Sequence, residues 1–336
     1  MYKLFVFMGY PGCGKSYLAK QLATHKTDLY MSSDKLREEM FGFRDQTRND
    51  ELFIELYRRV LDHVNIGDAY IDATNLTRKD RLRILSHIQR KYELHLICVL
   101  RPIDEIVEVN NLRQGEEHIP DDIFKKMLGR FQLPILEEGW DDIQYYFNTT
   151  KFSPVDSILH YSDLPDENHD NPHHNETLKE HLNYVSQMSK KLSNNKYVQA
   201  IAPYHDIGKF YVKQYNSDKG YSQFIGHAAV SSYIYLMNTL IGFMYENHIV
   251  FGFIHNAYII LGTYDFIVTY YGIYYHDLPY SIPDRKELKH SLEKPSKQII
   301  QMYRRYCKKK NIEELVDSII EFNSIDRLRE EEEDAR

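Results

Sequence analysis

Cysteine is scarce in this chain. Three residues, Cys13, Cys98 and Cys307, are odd in number and far apart; they make neither a disulfide framework nor a zinc spacing, and reduced thiols are expected. No apolar run approaches the roughly 20 residues that cross a bilayer, so no membrane partner is expected. The first ten residues lack a small-residue cleavage site, which argues against a secretory leader and for a cytoplasmic location. An excess of positive charge is also missing: 42 basic against 49 acidic residues leave a net charge of −7. That disfavours broad non-specific duplex binding, and any nucleic-acid partner must be gripped by local basic pockets. There is a single tryptophan, Trp140, expected as an anchor to the sheet or an interdomain surface, and no internal repeat. What is present is ordinary globular composition, 43% hydrophobic and 27% charged over 336 residues. At roughly 150 residues per domain, that length suggests about two domains.

The first half alternates short apolar runs (4–8, 69–73, 94–100) with helical stretches from Ser16 and from Arg78, the rhythm of a parallel sheet covered by helices. Residues 119–137 predict a helix pair, or one helix broken at Pro134. The first domain is expected to span 1–147. Residues 148–171 shift to Asp, Asn, His, Ser and Pro and read as a linker or crossover. Beyond them, 178–192, 198–204, 227–240, 266–275, 296–308 and 312–327 carry helical spacing without a hairpin signal. An all-α second domain over 172–330 follows, with a solvated acidic tail at 331–336. The many tyrosines of 264–280 suit helix-core packing better than stacking on a single strand.

Gly9-Tyr10-Pro11-Gly12-Cys13-Gly14-Lys15-Ser16 follows an apolar strand and opens a helix, the context that makes G-x-x-x-x-G-K-[ST] a phosphate cradle. Gly9, Gly12 and Gly14 let backbone amides curl inward, Lys15 bridges the outer phosphates of ATP, and the Ser16 hydroxyl can ligand Mg²⁺. Ser32-Ser33-Asp34-Lys35-Leu36-Arg37 lies where the second strand should meet its helix. Asp34 there can accept a hydroxyl proton, and Arg37, one turn later, can hold an anionic acceptor; an N-cap aspartate with a surface arginine is the plainer alternative. Asp72 could organise Mg²⁺ water while Thr74 and Asn75 face substrate. A polar loop at 111–120 carries Arg113, placed to close over the transferring phosphoryl group.

In order and spacing, Gly9 to Ser16, Ser33-Asp34-x-x-Arg37, Asp72-x-Thr74-Asn75-Leu76 and Asn110-x-x-Arg113-x-Gly115 before Ile119-Pro120 resemble the phage and bacterial polynucleotide 5′-kinases of end-healing systems. The resemblance covers most of 1–146. It implies Asp34 as general base for a 5′-hydroxyl, Arg37 on the acceptor phosphate and Arg113 as the lid arginine. One departure is Val109, where relatives often carry a basic residue.

Three His-Asp pairs occur, His169-Asp170, His205-Asp206 and His276-Asp277. Only His205-Asp206 ends an apolar helical run and leads directly into Ile207-Gly208-Lys209. A borderline divalent ion takes mixed imidazole and carboxylate ligands; His181, His227 and Asp326 stand on neighbouring helical stretches as further candidates. This set resembles the HD superfamily of metal-dependent phosphohydrolases over about 172–330, with His181, His205, Asp206 and Asp326 matching its pattern. The resemblance implicates His227 and His276 in a second metal or in phosphate contact, His174 more weakly, with His255 a rival to His276. It implies a divalent ion (Mn²⁺, Ni²⁺, Co²⁺, Mg²⁺ or Fe²⁺), with Lys209 neutralising phosphoryl charge.

The combined expectation is an α/β P-loop kinase domain followed by an all-α HD domain. One chain would phosphorylate 5′-OH ends of RNA or DNA with ATP and remove a terminal 2′ or 3′ phosphate, cyclic-ester opening included. The alternatives are a nucleoside or metabolite kinase fused to a nucleotide phosphohydrolase, and a nucleotide-gated binding module. Oligomeric state is open.

Overall fold

The computed structural model describes residues 1–42, 47–88, 91–151, 153–172, 176–249, 251–294, 297–306 and 312–328. His174, Cys307 and the 331–336 tail, named above, lie outside them. The chain divides into two compact units, and neither is continuous in sequence. The first comprises Met1–Ile119, Phe131–Pro154 and Asn247–Ala257, the second Pro120–Arg130, Val155–Glu246 and Tyr258–Arg336. The sequence places 120–130 in the expected N-terminal domain and 247–257 in the expected C-terminal one; in the structure each belongs to the other unit.

In the first unit, strands β1 (Lys3–Met8), β2 (Leu29–Ser32), β3 (Ala69–Asp72), β4 (Glu93–Leu100) and β5 (Asp142–Phe147) form a sheet in the order β2-β3-β1-β4-β5. All these pairings are parallel. The short strand Gly252–Phe253 adds antiparallel to β5. β3 is buried throughout and β4 in all but its first residue, as expected for a parallel sheet covered by helices on both faces. The helices Lys15–Leu22, Ser33–Phe41, Asn49–Asp62, Arg78–Ile88 and Ile103–Leu112 flank it. Phe7, Leu18, Ala19, Tyr70, Ile97 and Val99 form a core cluster. β1 lies between β3 and β4; the chain leaves β1 toward β2 on one side and later crosses from β3 over β1 to β4 on the other, so the carboxyl end of β1 lies at a topological switch point.

The second unit is dominated by helices: Leu178–Leu192, Lys196–Ile201, His227–Glu246, Tyr264–Tyr274, Arg285–Glu293 and Glu313–Asp326 among them. Val185, Val198, Ile201, Ile273, Phe322 and Ile325 pack at its centre. Tyr270 and Tyr271 are buried with ring centroids 5.2 Å apart. It is not all-α. Gln214–Asn216 and Tyr221–Gln223 pair as an antiparallel hairpin, because the Asn216 carboxamide accepts the amides of Asp218 and Lys219 and donates to Gln223 Oε1, a side-chain-built turn. The expected helix pair over 119–137 is one helix, Asp121–Leu128, plus a single 3₁₀ turn at Leu136–Glu138. No helix of the described residues is long and apolar enough to cross a membrane.

Candidate functional site

The first unit's site starts at the end of β1. Gly14, with φ +102, caps the amino end of helix Lys15–Leu22, a backbone region that disfavours any residue with a Cβ. A Cβ there would also stand 2.6 Å from Asn148 Nδ2; that amide donates to Cys13 O at 3.0 Å and pins the loop. Arg101 donates to Gly12 O from the other side, at 3.0 Å. Val109 packs against the loop, since a Cβ on Gly12 would lie 2.9 Å from Val109 Cγ1. Lys15 is buried and donates to Tyr10 O at 2.8 Å, while Ser16 is exposed.

Next to it, the ends of β2 and β3 are in register, Ser32 opposite Asp72. Tyr30 donates its hydroxyl to Asp72 Oδ2 at 2.7 Å. Burial and this carboxylate raise the phenol's pKa well above its ordinary value, against the smaller opposing pull of Ser32 and Ser16. Asp72 is buried and ends β3 beside the phosphate loop, whose Gly9 amide donates to Thr74 O. Asp34 is exposed in the first turn of helix Ser33–Phe41, which Ser32 caps. Arg37 is buried, pairs with Asp34 at 2.9 Å and donates to Asn49 Oδ1 at 2.8 Å. Both outer nitrogens therefore hold protein partners, and the arginine backs the carboxylate.

Asn75 points elsewhere. Its backbone is left-handed (φ 47) and its buried amide donates to Phe7 O, so this carboxamide braces β1. Arg113 is half-buried just beyond helix Ile103–Leu112, and its side chain forms no ion pair or hydrogen bond among the described residues. The loop carrying it is stapled by Asn110, which donates to Ile119 O and accepts the Ile119 amide. A further device escaped the sequence reading. Arg81, fully buried, pairs bidentately with Glu138 at 2.6 and 2.7 Å. It also donates to Asn75 O and Leu76 O, holding the turn after β3. Trp140 donates to the same Glu138.

The second unit's site is a cluster of imidazoles and carboxylates. His205, His227 and His276 each stand near a helix end, with Nδ1 at 2.8, 2.9 and 2.7 Å from the carbonyl three residues back, those of Ala202, Phe224 and Ile273. A carbonyl only accepts, so Nδ1 carries a proton, and it is Nε2 that would present a lone pair to an ion. His181, buried on helix Leu178–Leu192, is held at Nδ1 by Glu176 Oε1, 3.1 Å away.

The four Nε2 atoms converge in two groups around Asp206. His181 Nε2 and His205 Nε2 are 3.1 Å apart, each 3.5 Å from Asp206 Oδ2 and 3.2 and 3.3 Å from Asp326 Oδ1. On the other side, His227 and His276 Nε2 lie 3.1 and 3.4 Å from Asp206 Oδ1, and 3.2 and 3.1 Å from the two oxygens of Asp277. His181, His205 and Asp206, and again Asp206, His227 and His276, bring ligand atoms within 4.8 Å of one another. Lys209 Nζ contacts Asp206 Oδ2 at 2.6 Å. His255 falls in the first unit and is exposed.

A divalent ion fits this donor set. Among the described residues, the buried Asp206 Oδ1 and Asp326 Oδ1 accept no hydrogen bond, although imidazole nitrogens surround them. Among the described residues, four carboxylates (Glu176, Asp206, Asp277 and Asp326) face one lysine, Lys209, which leaves the cluster short of positive charge. The protein answers with protons. Burial opposes charging His181, yet Asp326, Glu176 and Asp206 outweigh it and push the imidazole up to about 9. His276 is likewise raised, against burial, by Asp277 and Asp206. Asp206 is held well below the carboxylate range, again against burial, by Lys209 and His205.

Gly208 assembles the two halves. A Cβ there would meet His227 O at 2.2 Å and Ser231 N at 2.8 Å, and the Gly208 amide donates to Ser231 Oγ. Only glycine lets the turn after His205-Asp206 lie against the start of helix His227–Glu246. Asp277 is not among the residues singled out from the sequence, where only His276 of that pair is a candidate ligand; its part depends on the helix end that turns its carboxylate toward His227 and His276.

A glycine-rich loop at the switch point of a parallel sheet, with a buried lysine and a carboxylate on the adjoining strand, defines a P-loop kinase-like domain. Residues 4–134 match the AAA_33 family model, described as an AAA domain. Such a domain implies ATP with Mg²⁺ and phosphotransferase chemistry. Among solved structures, the chain is similar to one in the Pnkp1/Rnl/Hen1 RNA repair complex, with 21% identity over 39% of this chain and 44% of that one and a TM-score of 0.35. The chain thus spans less than half the length of that structure. It is also similar to Kti12 of Chaetomium thermophilum in complex with ADP-AlF3, at 17% identity, TM-score 0.36, over 46% of this chain and 93% of that one. A gluconokinase of Sinorhizobium meliloti 1021 matches at 15% identity, TM-score 0.32, over 43% and 82%.

Proposed function

We propose that the chain is a bifunctional end-healing enzyme: an ATP-dependent kinase for 5′-OH ends of RNA or DNA, joined to an HD-type, metal-dependent phosphoesterase that removes a terminal 2′ or 3′ phosphate. The observation that carries the reading is the coexistence in one chain of two sites built for phosphate. One is a phosphate loop beside an exposed carboxylate backed by a buried arginine. The other is a carboxylate whose two oxygens each face a different pair of imidazoles.

In the kinase reading, Asp34 takes the proton of the acceptor hydroxyl as its oxygen bonds to the γ-phosphorus and ADP departs. Arg37 holds Asp34 in place and adds positive charge on the acceptor side. Lys15 and the loop amides of Gly9, Gly12 and Gly14 hold the donor phosphates. Ser16 and Asp72 would hold Mg²⁺, Thr74 faces the acceptor, and Arg113 neutralises charge on the transferring group. In the esterase reading, His181, His205, Asp206 and Asp326 would hold one divalent ion, and Asp206, His227, His276 and Asp277 a second. When bound, such ions neutralise phosphate charge and make water more acidic. Lys209 keeps Asp206 ionised and stands ready for a phosphoryl oxygen.

Labelled ATP with a 5′-OH oligonucleotide, and phosphate release from a 3′-phosphorylated oligonucleotide with Mn²⁺, test the two halves in the same chain. Lys15→Ala should lower 5′ transfer by about a hundredfold or more and spare release; Asp206→Ala should do the reverse. Transfer that survives Lys15→Ala, or release that survives Asp206→Ala, would overturn the corresponding half. A free nucleoside used as readily as an oligonucleotide would favour a metabolite kinase.

A further inference from the structure

The rim of the His/Asp cluster carries a pair of side chains that the ion-binding reading leaves unused. Tyr280, 45% exposed on the short helix Leu278–Ser281, turns its hydroxyl toward Asp326 Oδ2 at 3.5 Å. Arg327, the residue after Asp326, lays its guanidinium over the Tyr280 ring with Cζ 4.1 Å from the centroid. Among the described residues its buried Nε has no hydrogen-bond partner and its side chain forms no ion pair. A partly desolvated guanidinium without a counter-charge is costly, and an anionic ligand would offset that cost. The tyrosine ring holds the guanidinium by a cation–π contact, and a guanidinium so held can take two phosphate oxygens at once. The guanidinium lies over the face of the tyrosine ring, while Asp326 meets the ring's hydroxyl. An anion bound there is therefore a neighbour of the group facing the cluster and not that group itself.

We propose that Arg327 binds, and Tyr280 positions it to bind, the phosphodiester adjoining the terminal phosphate of a nucleic-acid strand. This rests on the phosphate-releasing reading of the cluster and narrows its substrate to a strand of two or more nucleotides.

The test compares steady-state phosphate release by the full chain, with Mn²⁺, from a 3′-phosphorylated dinucleotide and from a nucleoside 3′-monophosphate. The wild type should show a KM about tenfold lower for the dinucleotide, the effect of one charge-assisted phosphate contact. Arg327→Ala should raise the dinucleotide KM by about tenfold or more with kcat nearly unchanged, and leave the mononucleotide within about twofold. Arg327→Lys should fall between them. Tyr280→Phe keeps the ring and should keep the wild-type ratio of dinucleotide to mononucleotide KM, whereas Tyr280→Leu should lose that ratio as Arg327→Ala does. Equal losses on both substrates, or none on the dinucleotide, would overturn the subsite while leaving the esterase standing. A wild type that releases phosphate from neither substrate would remove the esterase reading and the subsite with it.

Discussion

Protons and divalent ions compete for the same lone pairs in the His/Asp cluster, and His181 shows the consequence most clearly. Its folded-state value of about 9 exceeds the ordinary 6.5 of an unfolded chain. The stabilisation from its imidazolium is therefore complete below about pH 6.5 and is lost as pH climbs through about 9. The shift corresponds to at most on the order of 3 kcal/mol. Chelator-treated protein should melt at progressively lower temperature across that window, and added Mn²⁺ should flatten the dependence by taking the proton's place. A melting temperature independent of pH in chelator would argue against a cluster that holds protons when it lacks an ion. Of the side chains meeting there, His181, His205, Asp206, His227, His276 and Asp326 were legible as residue types in suggestive places. Asp277 and Glu176 were not, because their parts depend on which imidazole nitrogen faces them.

Elements matter here through the turns that follow them. The end of β3 leads into Asn75 and Leu76, whose carbonyls are gathered by Arg81, and Arg81 is tied to Glu138 with both side chains fully buried. Removing one partner of a buried ion pair strands a charge, which costs about 3–5 kcal/mol, whereas an apolar pair of similar volume can be nearly neutral. Glu138→Ala should therefore lower unfolding free energy in urea by about that amount, and the double variant Arg81→Met with Glu138→Leu should recover part of it, less the bonds that Asn75 O, Leu76 O and Trp140 lose. Equal destabilisation by the single and double variants would show that packing, not the stranded charge, sets the cost. Strands β1, β3 and β4 were readable from apolar runs because both faces of a parallel strand are buried. The helices Asn49–Asp62 and Arg285–Glu293, strand β5 and the hairpin at 214–223 went unread. β5 alternates polar and apolar residues within an otherwise apolar sheet, and the hairpin's strands are three residues each, too short for a period to show.

Over the whole molecule, the chain returns to each unit after leaving it. Strand Gly252–Phe253 covers the edge of β5, and Ile254 donates to Tyr145 O. Helix Asp121–Leu128 packs on Lys209–Val212, with Lys125 donating to Lys213 O. A fragment ending at residue 147 would expose β5 as an open edge, a template for unwanted pairing, and would strip the second unit of one helix. Residues 1–147 expressed alone should form soluble aggregates on size exclusion and melt below the full chain; a monomer of unchanged stability would show that the returning strand contributes little. The order of motifs, the phosphate loop's strand-loop-helix context and the helical spacing of the second half were determined by local sequence, since backbone preference and periodic burial act over a few residues. The tertiary structure alone decided that Asp206 shares its oxygens between two imidazole pairs and that Asn75 braces β1. Each depends on contacts between segments tens of residues apart, where burial, and not local propensity, selects the partner.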